Sequence, residues 1–216
     1  MTKETKSRRE FIGTAAFGLA FLPLMAGCRY DVIAQKSDNV LKKIKLNAIQ
    51  TDGEWNGAKD APDDVRERTS LAVSDAGERM VISGTVFQAD GRTPAPDVLI
   101  YLYHTDSNGL YGRNGEHRHG RYRGWLLTGA NGTFQFETIK PAPYPERRFA
   151  AHIHMTITTT ELKEDWIDSI LFEGDQLISE RERQEAGKKG GFNPIIALEK
   201  DTAGVWRGKR DIQLWK

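Results

Sequence analysis

His152-Ile153-His154 sets two imidazoles two residues apart within 150–157, a stretch whose apolar and β-branched residues read as strand. Side chains alternate along a strand, so both imidazoles project from one face. Two imidazoles on one face are a pair of metal ligands, although the same spacing also occurs as plain polar packing. Tyr144 lies just upstream, held between Pro143 and Pro145. A phenol there could add a hard oxygen donor or simply pack the turn. The other histidines carry blander readings. His117 and His119 alternate inside the basic segment 114–121 and read as solvated loop residues. His104 ends an aromatic strand and reads as packing or hydrogen bonding.

The elements that must position these residues are short and separated by turn chemistry. Residues 80–87 (Met-Val-Ile-Ser-Gly-Thr-Val-Phe) and 98–104 (Val-Leu-Ile-Tyr-Leu-Tyr-His) read as strands, divided by the Asp/Gly/Pro-rich turn 88–96. Residues 125–128 and 133–138 flank Asn131-Gly132 and read as a hairpin. Strands are also expected over 167–172, 195–198 and 210–215. Residues 180–189 form the one plausible helix. Residues 41–47 fit a strand or a short helix, and 51–68 a loop over an opening of the domain. The expected fold is all-β, a β-sandwich with long loops and at most one or two short helices, spanning 41–216.

The chain has 216 residues, enough for one domain with a sizeable core. Its 31 Lys+Arg against 30 Asp+Glu give no basic footprint, so no nucleic-acid partner is expected. The N-terminus reads as targeting sequence. Ser7-Arg8-Arg9-Glu10-Phe11-Ile12 resembles a twin-arginine export signal. The apolar run 14–26 falls short of the roughly 20 residues that span a bilayer. It leads into Leu24-Met25-Ala26-Gly27-Cys28, which resembles a bacterial lipobox with Met in place of the usual Leu. Cys28 is the only cysteine, so it has no partner for an intramolecular disulfide and is expected to be a lipid anchor. The expected organisation is therefore a signal over 1–28 and a tether over 29–40. An exported periplasmic or cell-surface lipoprotein would follow, held to the membrane at Cys28.

A longer ordered pattern joins these pieces. Tyr103-His104 leads to Tyr111, then Arg123-Gly124-Trp125, Thr128, Gly132-Thr133-Phe134-Gln135-Phe136-Glu137-Thr138-Ile139-Lys140-Pro141, Tyr144-Pro145 and His152-Ile153-His154, with Phe172-Glu173-Gly174-Asp175 downstream. This resembles the intradiol ring-cleavage dioxygenases, on their protocatechuate side, over roughly 81–175. The resemblance implies four ligands to a non-haem Fe(III): Tyr111, Tyr144, His152 and His154. Phenols titrate near ~10, so holding two as phenolates needs a strongly Lewis-acidic cation. Two anionic oxygens with two imidazoles favour Fe(III) over divalent metals. It also implies a catechol-type aromatic diol and O2 as substrates, with ring opening between the hydroxyl-bearing carbons to a cis,cis-muconate-type diacid. Tyr144 would accept a diol proton. No nicotinamide or flavin is implied.

Three positions depart from the family pattern. Phe149 stands where an arginine is usual, with Arg148 one residue earlier as the candidate for stabilising charge on the substrate. Ser169 replaces an amide side chain, and Gly129 replaces an Asp. The long helical dimerisation region of the catechol branch has no counterpart in 29–79, so a homo-oligomer is compatible but its familiar contacts are not implied. A non-catalytic or iron-binding β-sandwich module at the cell surface is the alternative reading.

Overall fold

A computed structural model describes residues 39–48, 53, 55–71, 76–112 and 117–215. The expected signal 1–28, the Cys28 anchor and nearly all of the tether 29–40 lie outside the described residues. In chain order the elements are α1 (residues 39–48), a 3-10 turn (Ala58–Asp60), β1 (Arg68–Ser70), β2 (Arg79–Phe87), β3 (Leu99–His104), β4 (Arg123–Leu127) and β5 (Thr133–Ile139). There follow β6 (His152–Thr158), β7 (Asp165–Phe172), α2 (Glu180–Glu185), β8 (Ile195–Ile196), β9 (Glu199–Lys200), β10 (Trp206–Lys209) and β11 (Ile212–Gln213).

The strands form two sheets. One runs β1-β5-β2-β10-β9, with β11 also pairing β2; the other runs β4-β3-β6-β7-β8. Period-2 patterning explains how they face each other. Met80, Ile82 and Val86 of β2 and Phe134 and Phe136 of β5 meet Ile100, Leu102, Ile153, Met155 and Ile157 of the second sheet in one buried cluster. Each such side chain contributes about 1.5–3 kcal/mol when fully buried. The two sheets and their shared core make the expected β-sandwich.

That core decides where the site lies. Because Ile153, Met155 and Ile157 point inward, His152 and His154 must sit on the outer face of the second sheet. Tyr101 and Tyr103 lie there too, with Tyr103 opposite His154 in the β3–β6 register. One end of this outer face is covered by α1, whose Leu41, Ile44 and Ala48 pack with Ala58, Ala61, Val65, Leu99 and Leu127.

Several expected elements are corrected. Of the two readings of residues 41–47, strand or short helix, the structure has the helix: the i, i+3, i+7 spacing of Leu41, Ile44 and Ala48 wins, and Leu46 is left 64% exposed. The helix expected over 180–189 stops at Glu185, because the Gly187 and Lys189 N–H groups donate to Asp168 Oδ2 instead. The strands expected over 195–198 and 210–215 shorten to Ile195–Ile196 and Ile212–Gln213. β1, β9 and β10 were not expected, and β4 and β5 do not form the expected hairpin: the turn at Asn131-Gly132 carries the chain from one sheet to the other. No helix among the described residues is long and apolar enough to cross a membrane.

Candidate metal centre and its cavity

The histidine strand is pinned at its start. The Ala151 N–H donates to Asp175 Oδ2 (3.0 Å), and Oδ1 of the same carboxylate accepts from Leu177 N (2.9 Å). The Phe172-Glu173-Gly174-Asp175 turn thus anchors β6 one residue before His152. His152 Nδ1 lies 2.7 Å from the Ala150 carbonyl oxygen. A carbonyl can only accept, so Nδ1 carries the proton and Nε2 presents a lone pair. His154 is packed at 4.7 Å from the Tyr103 ring and 5.0 Å from the Trp166 ring, and its Nδ1 is 3.4 Å from Ser169 Oγ.

Two loops deliver the tyrosines, and two hydrogen bonds join them. Thr105 Oγ1 donates to the Ala142 carbonyl (2.7 Å), and Ala142 N donates to the Asp106 carbonyl (3.1 Å). Gly109 has φ +81°, and a Cβ there would sit 2.1 Å from the Pro143 oxygen. Gly120 has φ +68°, and its Cβ would sit 1.4 Å from the Tyr111 oxygen. Only glycine allows that approach in that conformation.

The four expected ligand side chains converge. Tyr111 Oη is 2.6 Å from Tyr144 Oη, and Tyr144 Oη is 3.3 and 3.4 Å from the Nε2 atoms of His152 and His154. The two Nε2 atoms are 3.0 Å apart. Metal bonds of about 2.0–2.1 Å at 90–110° would separate their donor atoms by about 2.9–3.4 Å, close to this spread. Burial pushes both phenols above their ordinary range, so neither ionises unaided near neutral pH. Burial, with the neighbouring His152, His119 and His104, depresses His154 to about 3; burial also lowers His152. Both imidazoles are therefore neutral at pH 7 and free to ligate. Among the described residues no group of three or more His, Cys, Asp or Glu could hold a metal, so a centre here has to draw on phenols. That donor set fits a hard trivalent cation better than zinc, calcium or magnesium.

A cavity of about 400 Å³ opens beside this cluster. Tyr144, His152 and His154 line it, whereas Tyr111 is not among its walls. Asp168 and Ser169 both line it, although consecutive residues of a regular strand face opposite ways. The cause is a register shift: Ile153 pairs with Ile170 but Met155 with Ile167, so β7 carries one extra residue opposite His154. Bulges of this kind commonly re-aim side chains beside functional sites. Phe149 also forms part of the wall, in a T-shaped contact 6.3 Å from Tyr144. Arg148 is exposed and does not line the cavity. The structure brings Tyr111, Tyr144, His152 and His154 together, but not Arg148.

One sequence expectation fails here. His119 is not a solvated loop residue; it is 6% exposed. Its ring stacks on Tyr103 at 3.8 Å and its Nδ1 is 2.6 Å from Tyr101 Oη. The outward pair Tyr101 and Tyr103 needed an aromatic cover, and that pair was the readable signal. Segment 55–61 completes the layer: Trp55 packs on Trp166, Trp125 Nε1 donates to the Gly57 carbonyl, and buried Glu164 accepts from the N–H groups of Gly57 and Ala58. His104 is fully buried, bridging Thr105 O and Thr138 Oγ1 as expected.

Comparison with known proteins gives the family of this chain. A family model described as Dioxygenase matches residues 55–190. Hydroxyquinol 1,2-dioxygenase of Corynebacterium glutamicum is 29% identical over 132 residues, covering 54% of this chain and 43% of that protein. The chain thus spans less than half the length of this curated relative. The dioxygenase domain of a dioxygenase carbohydrate-binding protein fusion from Streptomyces sp. SirexAA-E is 26% identical, with a TM-score of 0.52 over 70% of this chain and 89% of that one. Catechol 1,2-dioxygenase from Acinetobacter sp. ADP1 shares the fold at 18% identity, with a TM-score of 0.54 over 69% of this chain and 57% of that one. With the family match covering more than half of its length, the chain belongs to the intradiol ring-cleavage dioxygenases.

Proposed function

We propose that this protein is an Fe(III)-dependent enzyme that cleaves a catechol-type aromatic diol with O2, between the hydroxyl-bearing carbons, to a cis,cis-muconate-type diacid. The observation that carries the reading is that Tyr144 Oη, at the edge of a cavity, lies 2.6 Å from Tyr111 Oη and 3.3 and 3.4 Å from the Nε2 atoms of His152 and His154, themselves 3.0 Å apart. Tyr111, Tyr144, His152 and His154 would hold the iron. When bound, Fe(III) would ionise the phenols and draw electron density from a ligated diol. The names of the relatives point to hydroxyquinol or catechol as the substrate type.

The chain's own groups divide the work. Tyr144 faces the cavity and Tyr111 lies behind it, so Tyr144 Oη is the phenolate positioned to take a proton from an entering diol hydroxyl. His152 is locked as a ligand by the proton that its Nδ1 gives to Ala150 O. The rings of Tyr103 and Trp166 pack against His154, and His119 stacks on Tyr103. Arg148 would stabilise charge on the bound ring only by turning inward from its exposed position, where Phe149 now forms the wall. Oxygen uptake by the iron-loaded protein with catechol, hydroxyquinol and protocatechuate tests the reading. Consumption of one equivalent of O2 per diol with a ring-opened diacid is expected; no uptake with any of them would overturn it.

We propose further that the protein is exported by the twin-arginine route and anchored at Cys28. The sequence pattern around Arg8-Arg9 and Cys28 supports this. Cys28→Ser should move the protein from membranes to the soluble fraction; continued sedimentation with membranes would refute the anchor.

A further inference from the structure

The cavity beside the candidate centre carries an electrostatic bias that the ligand set does not explain. Its walls include Asp168, Glu182 and Glu185, and no lysine or arginine. The three carboxylates are not equivalent. Asp168 Oδ2 is committed to the N–H groups of Gly187 and Lys189, and the buried Arg210 guanidinium interacts with its charge. Glu185 forms surface ion pairs with Arg181 and Lys188. Glu182 has no cation at ion-pair distance among the described residues. It is held instead by the capping box of α2: Ser179 N and Ser179 Oγ both donate to Glu182 Oε2 at 2.7 Å. That box fixes the carboxylate on the cavity wall and leaves Oε1 uncommitted. Its charge also reaches His152 across the cavity.

We propose that Glu182 is a specificity-determining residue: it sets the charge tolerated on the diol's ring substituent, admitting neutral and cationic substituents and rejecting carboxylates. The inference rests on the diol-cleaving reading of this site. A diol docked against Tyr144, His152 and His154 has its remaining ring positions directed into a space of about 400 Å³, apolar at Phe149, Leu171 and Pro194 and negative at Glu182. A substituent carboxylate entering that space would meet an unbalanced like charge with no lysine or arginine on the walls to pair it. An ammonium group would meet a fixed acceptor.

The test is anaerobic calorimetric titration of the iron-loaded protein with three diols that differ mainly in the charge of one-carbon substituent: 4-methylcatechol, 3,4-dihydroxybenzoate and 3,4-dihydroxybenzylamine. The benzoate should bind at least about tenfold more weakly than the methyl compound, and the benzylamine as tightly or more so. Glu182→Gln keeps the cap, because the amide oxygen still accepts from Ser179, and should shrink the benzoate-to-methyl ratio at least about threefold. A purely structural role for Glu182 would shift all three diols together and leave the ratios unchanged. Equal binding of benzoate and methyl compound by the wild type would overturn the proposal, as would an unchanged ratio in Glu182→Gln. Binding of none of the diols would remove the diol-cleaving reading along with it, whereas binding of all three alike would remove only the role of Glu182.

Discussion

Gly120→Ala probes how the candidate metal centre is assembled. Gly120 has φ +68°, and an added Cβ would lie 1.4 Å from the Tyr111 carbonyl oxygen and 3.0 Å from its Cα. The obstruction is backbone, so no side chain can swing aside. The gap has to open by about 1.6 Å before it reaches even 3.0 Å, a shift that carries Tyr111 out of hydrogen-bond reach of Tyr144. Left-handed φ in a residue with a Cβ costs about 1–2 kcal/mol, and overpacking typically adds about 1–3 kcal/mol. A loss of about 2–5 kcal/mol should lower Tm by about 4–20 °C in a domain of this size. Gly204→Ala is the control: φ is +75°, but nothing lies within 4 Å of the added Cβ. It should cost only the conformational part, about 1–2 kcal/mol. Thermal unfolding and bound iron, measured on both variants, separate the two effects. Gly120→Ala should lose most of its iron and Gly204→Ala none. Equal Tm values and equal iron in the two variants would refute the packing argument.

Three further outcomes follow from particular contacts. Glu164 is buried, and burial raises its pKa above the ordinary carboxylate value, so between that value and its folded pKa the folded state binds more protons than the unfolded one. Its contribution to stability is therefore largest at low pH and falls as pH rises through that interval; in urea unfolding the stability of wild type minus that of Glu164→Gln should fall as pH rises, and a rise in that quantity would contradict this. Asp175→Ala frees the Ala151 N–H and should cost about 1–3 kcal/mol by denaturant unfolding while weakening iron retention; unchanged values for both would show that the turn does not anchor β6. Arg148→Ala should leave iron content and Tm unaltered, since the side chain is exposed, and lower kcat only if the arginine turns inward on diol binding; loss of iron would assign it a different role.

Legibility of the sequence followed the strength of local periodicity. The sandwich strands 80–87, 98–104 and 133–138 carry strict alternation or β-branched runs, and the structure places strands there. His152 and His154 share a face because period 2 demands it, and the ordered pattern around Tyr111 and Tyr144 pointed to the loops that converge. Other features depended on tertiary context. The extra residue in β7 leaves no mark in Ile167-Asp168-Ser169-Ile170, yet it alone brings Asp168 and Ser169 to the same cavity. The basic loop around His119 suggests solvent, but the outer-face rings of Tyr101 and Tyr103 hold it in a buried layer. Residues 41–47 satisfied both periods, and the apolar patch around Leu99 selected the helix. β9 exists through pairing with β10, which no local pattern announces, and the expected strands 195–198 and 210–215 are trimmed to the two residues each that find a partner, β8 on β7 and β11 on β2.

The central claim is that two phenolates and two imidazoles of this chain bind one ferric ion. Visible absorption of the purified protein, with iron quantified in the same sample, tests it most directly. One iron per chain and a burgundy tyrosinate-to-Fe(III) charge-transfer band are expected, with the band much reduced in Tyr144→Phe and the iron lost in His152→Ala. A protein that stays colourless after iron loading, or His152→Ala that keeps its full iron content, would contradict the account.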